Sequence, residues 1–432
     1  MKKIFQYILL AVALVATASC SSELDDTLQP VENGTLQFVV SDFPAFGEGA
    51  QTRAIGTQDA GKTEWVNGDQ IIVTLTSQKY GEQAVALTYN GSSWSTEASL
   101  SYLENETPSV SVFYAPCYEV TEEGTMQLRS GMQLGMTEYL SGNYEMDNGI
   151  MTITFEGAIR TYSRLRIVGL PNQTLTVTTT DFTPAGATEV ATAAYTLTTD
   201  KNGNAFLYGV FAEGATVSVK QGDVVLKDYT FTAEKNLNGT AYNKSYALDA
   251  TPVMDGTLGG KTEATEDDIT ALVEQLKGYV DNGITTIIVP GSQPATIDMG
   301  LWINTAIGEA IYRLSKEESY DGKIDLILPD VTEIVDQEFD GAHALNSINL
   351  PKVTTVGDGA FYDCQYLEEL TFGSVVTAIN HNTRAEFHRV GEKVEGCDLV
   401  LNSEQVNAAT EYQPNVETKT WWNTEWKSIT LE

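Results

Sequence analysis

Ile324-Asp-Leu-Ile-Leu-Pro329, Ser347-Ile-Asn-Leu-Pro351 and Glu369-Leu-Thr-Phe-Gly373 decide how this chain folds. Leu326-Ile-Leu328-Pro329 recurs as Ile348-Asn-Leu350-Pro351 and again as Leu370-Thr-Phe372-Gly373, each time 22 residues on. Ile334, Phe339, Ala342 and Leu345 recur at the same offset as Val356, Phe361, Cys364 and Leu367. A fixed period in the twenties marks a solenoid, because one coil cannot bury its own apolar face and must stack on its neighbours. Within each apolar-x-apolar triplet the outer pair points inward and the middle residue outward, since strand side chains alternate faces. Ile287-Ile-Val289-Pro290 upstream carries the same pattern, as do Leu399-Val-Leu401 and Ile429-Thr-Leu431 downstream. The spacing therefore predicts about six stacked parallel strands, clearest over 324–373. Cys364 takes the place of Ala342 one coil later, so it reads as a small core residue.

The phrase Val356-Gly-Asp-Gly-Ala-Phe361-Tyr-Asp-Cys364-Gln-Tyr-Leu367 resembles the BspA-like leucine-rich repeat. The resemblance implies a repeat domain over 255–432. Ahead of the repeats, Thr265-Glu-Asp-Asp268 is suited to cap a helix with Ile269, Leu272, Val273, Leu276 and Val280 on one face. Leu301–Leu314 reads as a second helix. Thr420-Trp421-Trp422-Asn-Thr-Glu-Trp426 belongs to the terminal cap. The candidate ligand-binding face is the outward row of the ladder: Asp325 and Ile327, Ser347 and Asn349, Glu369 and Thr371. Thr286, Ile288, Asp398, Val400, Ser428 and Thr430 extend it. Hydroxyl, amide and carboxylate groups mixed with a few aliphatics suit recognition of a protein or a glycan.

Residues 36–254 have another character. Thr35–Val40, Gln70–Leu75, Ser109–Tyr114, Met151–Phe155, Leu165–Val168, Leu175–Thr179 and Ala215–Val219 alternate apolar and polar residues. Many short strands parted by Gly-containing turns predict β-sandwiches, two of them, split near 150. Thr52-Arg53-Ala54, Trp65-Val-Asn-Gly68-Asp69-Gln-Ile71, Tyr89-Asn-Gly91 with Trp94, and Val112-Phe-Tyr-Ala-Pro116 follow in order. Leu237-Asn-Gly239 and Tyr242 stand near the end of the region. This series looks like the fimbrillin-like (Mfa-like) family of surface lipoproteins. The resemblance implies that cleavage between Arg53 and Ala54 would free a subunit to accept a strand from a neighbour. Trp65 and Trp94 read as core aromatics, and Gly68-Asp69 as a turn feeding a strand.

Lys2 and Lys3, the apolar run Ile8–Ala16 and Thr17-Ala18-Ser19 read as a signal peptide over 1–19. The run is shorter than the about 20 residues that a membrane span needs. Cys20 after small residues resembles a bacterial lipobox, which implies acylation of its thiol, with 20–35 as a lipidated linker. Thr17 stands where that motif usually has leucine. Ser21-Ser-Glu-Leu-Asp-Asp26 resembles a signal for export to the outer surface. Asp26-Thr27-Leu28 resembles an O-glycosylation triplet.

The formal charge is −34, from 25 basic and 59 acidic residues. Nucleic acid needs a basic face, so it is excluded as a partner, and adsorption to anionic lipid is disfavoured. Contact with the membrane is expected only through the lipid anchor. Cys117, Cys364 and Cys397 form no disulfide framework. His343, His381 and His388 are the histidines. His381 and His388 stand too far apart in sequence, without cysteine support, to predict zinc. Gly260-Lys261-Thr262 has Asp255 where a phosphate loop needs glycine, and reads as linker. No nucleophile elbow, calcium loop or cofactor motif occurs. The sequence thus predicts a mostly β, non-enzymatic, outer-membrane lipoprotein without cofactor or metal. Its expected role is adhesion, with a fimbrial structural or tip subunit as the alternative.

Overall fold

The structure is a computed structural model and describes residues 37–44, 62–103, 106–147, 150–155, 161–232, 245–291, 295–296, 305–317, 319–381 and 385–432. Cys20, Arg53 and Ala54 lie outside the described residues, as do Leu237-Asn-Gly239 and Tyr242. The described chain is mostly β, with two α-helices in its second half.

The first sheet orders its seven strands Gln37–Val40, Ile150–Thr154, Leu140–Asp147, Ser109–Tyr114, Gln70–Ser77, Gly81–Tyr89 and Trp94–Ser95. Only the first pair is parallel. Leu140–Gly142 pairs with Val112–Tyr114, whereas Asn143–Asp147 pairs with Ile150–Thr154. A strand that changes partner midway makes the corner of a sandwich. Gly142 sits at that corner, where a Cβ would stand 3.0 Å from the Phe155 ring. The halves close on Ile71, Val73, Leu75, Leu87, Val112, Leu140 and Ile153. Trp65 and Trp94 meet edge to face at 5.0 Å, and Trp65 reaches Phe43 at 4.8 Å.

The second sheet runs Ala191–Thr198, Thr174–Pro184, Asn204–Gln221, Ser163–Val168 and Ser245–Asp249, with Val224–Thr230 also on Asn204–Gln221. Asn204–Gln221 is long because its start pairs with Ser163–Val168 and its end with Val224–Thr230. Phe182, Phe211 and Phe231 stack down its core at 4.4 and 4.6 Å. The change of sheet falls between Thr154 and Ser163.

The second half is a solenoid. Its main ladder has six parallel strands, which we call rungs: Thr286–Ile288, Ile324–Ile327, Leu345–Leu350, Glu369–Phe372, Asp398–Leu401 and Ser428–Leu431. A second parallel ladder, Glu333–Ile334, Thr355–Val356 and Ala378–Ile379, lines another side. Helix α1, Glu266–Asp281, and helix α2, Ala306–Leu314, stand behind the first two rungs. The capping box of Thr265 and Asp268 forms as its spacing implies. Helix α2 starts later than the expected Leu301, because Thr305 caps it by accepting from the Gly308 N–H. Residues 301–304 lie outside the described residues. Phe339, Phe361 and Phe387, which follow the second, third and fourth rungs, stack at 5.6 and 5.8 Å. Cys364 is fully buried, and its Sγ donates to the Phe339 carbonyl at 3.0 Å. Burial pushes that thiol well up. Trp421 and Trp426 close the far end against Phe387 at 5.7 and 5.3 Å.

Sandwich and solenoid are joined closely. Pro252 accepts from the Ile288 N–H at 3.1 Å, and the Met254 N–H donates to the Ile288 carbonyl at 2.9 Å, so 252–254 add to the edge of the first rung. Met254 is fully buried in the solenoid core. The turn after Gln221 docks on the end of α1, with the Asp223 N–H donating to Asn282 Oδ1 at 2.7 Å. Val224 and Leu226 pack on the solenoid core from the same hairpin.

Candidate functional site

The ladder sets two rows of side chains in register. Thr286, Asp325, Ser347, Glu369, Asp398 and Ser428 are partners in one row. Ile288, Ile327, Asn349, Thr371, Val400 and Thr430 are partners in the other. Between them Ile287, Leu326, Ile348, Leu370, Leu399 and Ile429 are 0 to 7% exposed and point into the core. Every residue of the two rows is half-buried or exposed. The structure thus brings together Asp325, Ile327, Ser347, Asn349, Glu369 and Thr371 on one face. Neighbouring rungs lie about 4.8 Å apart, so the rows form a regular, mainly polar lattice.

Several groups in the lattice hold one another. Ser347 Oγ and Asn346 Nδ2 donate to Asp325 Oδ1 at 2.7 and 2.8 Å. Asn346 can do so because it is the extra residue of a bulge between Ile324 and Asp325. Ser428 Oγ donates to Asp398 Oδ1 at 2.6 Å, and Lys427 Nζ stands 3.2 Å from Asp398 Oδ2. Ser428 is the main reason that the Asp398 carboxyl titrates below its ordinary range. Among the described residues Glu369 meets only its rung neighbour, with Thr371 Oγ1 at 3.3 Å, and is exposed with Asn349 and Thr430. The face therefore offers fixed acceptors beside exposed carboxylate, amide and hydroxyl groups, with Ile288, Ile327 and Val400 as half-buried apolar ground. It can bind polar groups by hydrogen bonds.

The histidines have separate partners. His343 Nε2 stands 3.3 Å from Asp363 Oδ2, and His388 lies against Tyr362 with ring centroids 5.0 Å apart. His381 Nδ1 stands 2.9 Å from Glu386 Oε1. His381 and His388 are thus not brought together.

The sequence reading missed a cavity of about 530 Å³ between the two sheets, lined by Lys62, Tyr114, Glu138, Arg164, Phe206 and Tyr208 among others. Arg164 is 4% exposed, and its guanidinium lies 4.9 Å from the centre of the Phe206 ring. Alternation places Arg164 and Tyr208 on strands, but only their cross-strand register puts them opposite each other.

The family of BspA type leucine-rich repeat regions matches residues 323–389, in six copies. The fold and this match define that segment as a leucine-rich repeat solenoid, a non-enzymatic kind of module. No curated protein matches the chain. A candidate cell adhesion protein from Bacteroides fragilis is 10% identical and covers 50% of this chain and 92% of its own, with a TM-score of 0.24. A shaft pilin from Lactobacillus rhamnosus GG is 13% identical and covers 52% of this chain and 98% of its own, with a TM-score of 0.17. Likeness this low transfers neither fold nor function.

Proposed function

We propose that this chain is a bacterial surface lipoprotein that acts as an adhesin, held at the outer membrane by acylated Cys20. Its rungs contact a protein or glycan. The observation that carries the reading is the in-register double row of exposed and half-buried side chains on the six-rung ladder, polar except for Ile288, Ile327 and Val400. Repeat solenoids use such extended faces for binding. An array of glycans and matrix proteins probed with the full chain tests it. Binding that Glu369→Lys with Asn349→Ala abolishes supports the reading; binding that survives the double change moves the site elsewhere, for instance to the half-buried Trp422 of the terminal cap. The anchor is tested separately. A Cys20→Ala chain that stays on the membrane would count against acylation. Durable anchoring needs more than one acyl chain, at about 0.8 kcal/mol per buried methylene.

One observation favours a second reading, a fimbrial subunit. Gln37–Val40 is an edge strand that pairs on one side only, parallel to Ile150–Thr154. Cleavage between Arg53 and Ala54 would separate it from the rest of the chain and leave an edge for another strand. N-terminal sequencing of protein from intact cells separates the readings. A start at Ala54 supports the polymer, and a blocked, lipidated Cys20 supports the tether.

A further inference from the structure

We propose that Asp358, His381 and Glu386 form a binding site for a first-row divalent cation, with Zn2+ or Mn2+ as the ions the donor set suits. One ligand atom from each of the three residues lies within 4.8 Å of the others, and His381 Nδ1 is 2.9 Å from Glu386 Oε1. Bonds of about 2.0–2.2 Å to a tetrahedral ion place ligand atoms about 3.3 Å apart. The observed spread brackets that value. One imidazole nitrogen and two carboxylate oxygens form a mixed set that selects borderline ions over calcium.

Burial separates this group from an ordinary acidic surface. Asp358 and Glu386 are 4% and 2% exposed. The His381 side chain is 62% exposed, so it gives the ion an entrance and can move to meet it. The outer contacts fit ligation as well. Trp422 Nε1 donates to Glu386 Oε2 at 3.1 Å, which turns Oε1 toward His381. Trp422 is itself stacked on Tyr412 at 5.2 Å. Such outer hydrogen bonds orient ligating carboxylates. On the other side, the Asp358 N–H donates to Asp336 Oδ1 at 2.8 Å. Gly357 allows this approach, since a Cβ there would stand 2.4 Å from the Asp336 nitrogen.

Comparison within the repeats shows that the cluster is a departure. Glu338 and Glu386 each precede a phenylalanine of the stacked row. Glu338 serves its own turn, accepting from the Val335 N–H at 3.0 Å and from Thr305 Oγ1 at 3.2 Å. Glu386 is turned instead to His381 and Trp422. The step from Phe339 to Phe361 is 22 residues, but that from Phe361 to Phe387 is 26. Three of the four extra residues fall between Ile379 and Phe387, the stretch of sequence that carries His381. Insertions into a solenoid collect in loops on one face, often the one that binds.

The test uses the full chain stripped with a chelator and titrated with Zn2+ and, separately, Mn2+ by calorimetry and tryptophan fluorescence. The expected result is one tight site for at least one of the ions. His381→Ala and Asp358→Asn should each weaken it at least tenfold, and His388→Ala should not change it. The fluorescence response should vanish in Trp422→Phe while the ion still binds. His381 is exposed, so its alanine variant folds and keeps the test decisive. Failure of both ions to bind, or binding that His381→Ala leaves intact, overturns the proposal.

Discussion

Ser347 Oγ donates a hydrogen bond to Asp325 Oδ1 at 2.7 Å, tying one rung of the ladder to the rung before it. Ser428 and Asp398 repeat the relationship at 2.6 Å on the two rungs that follow that of Glu369. The first row of the face is thus partly locked by its own side chains, and among the described residues Glu369 is bonded only within its own rung.

Ser347→Ala should therefore cost about 1 kcal/mol of stability, the ordinary net worth of one hydrogen bond. Glu369→Lys with Asn349→Ala should change stability by no more than about 0.5 kcal/mol, since both residues are exposed. Urea melts of the variants measure both. A large loss in the double variant would show that the face is needed for folding.

Phe361 lies between Phe339 and Phe387 at 5.6 and 5.8 Å and is fully buried. Phe361→Ala removes the middle ring of the stack and leaves a cavity that neighbouring coils cannot fill. The expected loss is about 3–5 kcal/mol. Circular dichroism melts should show the solenoid transition moving down. An unchanged melt would mean that the stack contributes little.

Glu338 is 1% exposed, and burial pushes its carboxyl up to about 7. An unfolded glutamate titrates near about 4.3. Between these values the folded chain keeps a proton that the unfolded chain has lost. The group's contribution is thus fully present at low pH and is lost as pH rises through about 7. Glu338→Gln retains an acceptor for the Val335 N–H and cannot ionise. Relative to the parent it should gain on the order of 3–4 kcal/mol at pH 8 and almost nothing at pH 4. Equal effects at both values would refute the assignment.

Met254 and the two hydrogen bonds at Ile288 belong to the solenoid, although they precede position 255. We expect chains of 251–432 and 255–432 both to fold with mixed helix and strand content. The longer one should melt higher, by about 2–5 kcal/mol for the buried methionine alone. Both should melt below the full chain, which keeps the packing of Val224 and Leu226 on the solenoid core. Calorimetry of the three chains tests this order.

The solenoid was legible because its signal is periodic and local. Phe339, Ala342 and Leu345 recur after 22 residues, and stacking coils bury them at the same depth. Alternation within Asp325-Leu326-Ile327 and its copies likewise determined which residues face out. The first sandwich was legible as strands, but the parallel pairing of Gln37–Val40 with Ile150–Thr154 was not. That pairing joins segments more than 100 residues apart, and only the closed core selects it. Helix α2 began later than its apolar pattern because Thr305 supplied the cap. The meeting of Asp358, His381 and Glu386 was hidden for a similar reason. Their spacings follow no ligand motif, and the stacking of one coil on the next sets Asp358 beside the other two. By itself the sequence determined the repeat, its inward and outward faces and the β character of the first half. The tertiary structure decided which strands pair across the sheets, how the sandwich docks on the first rung and which distant side chains meet, because those outcomes depend on contacts between segments far apart in the chain.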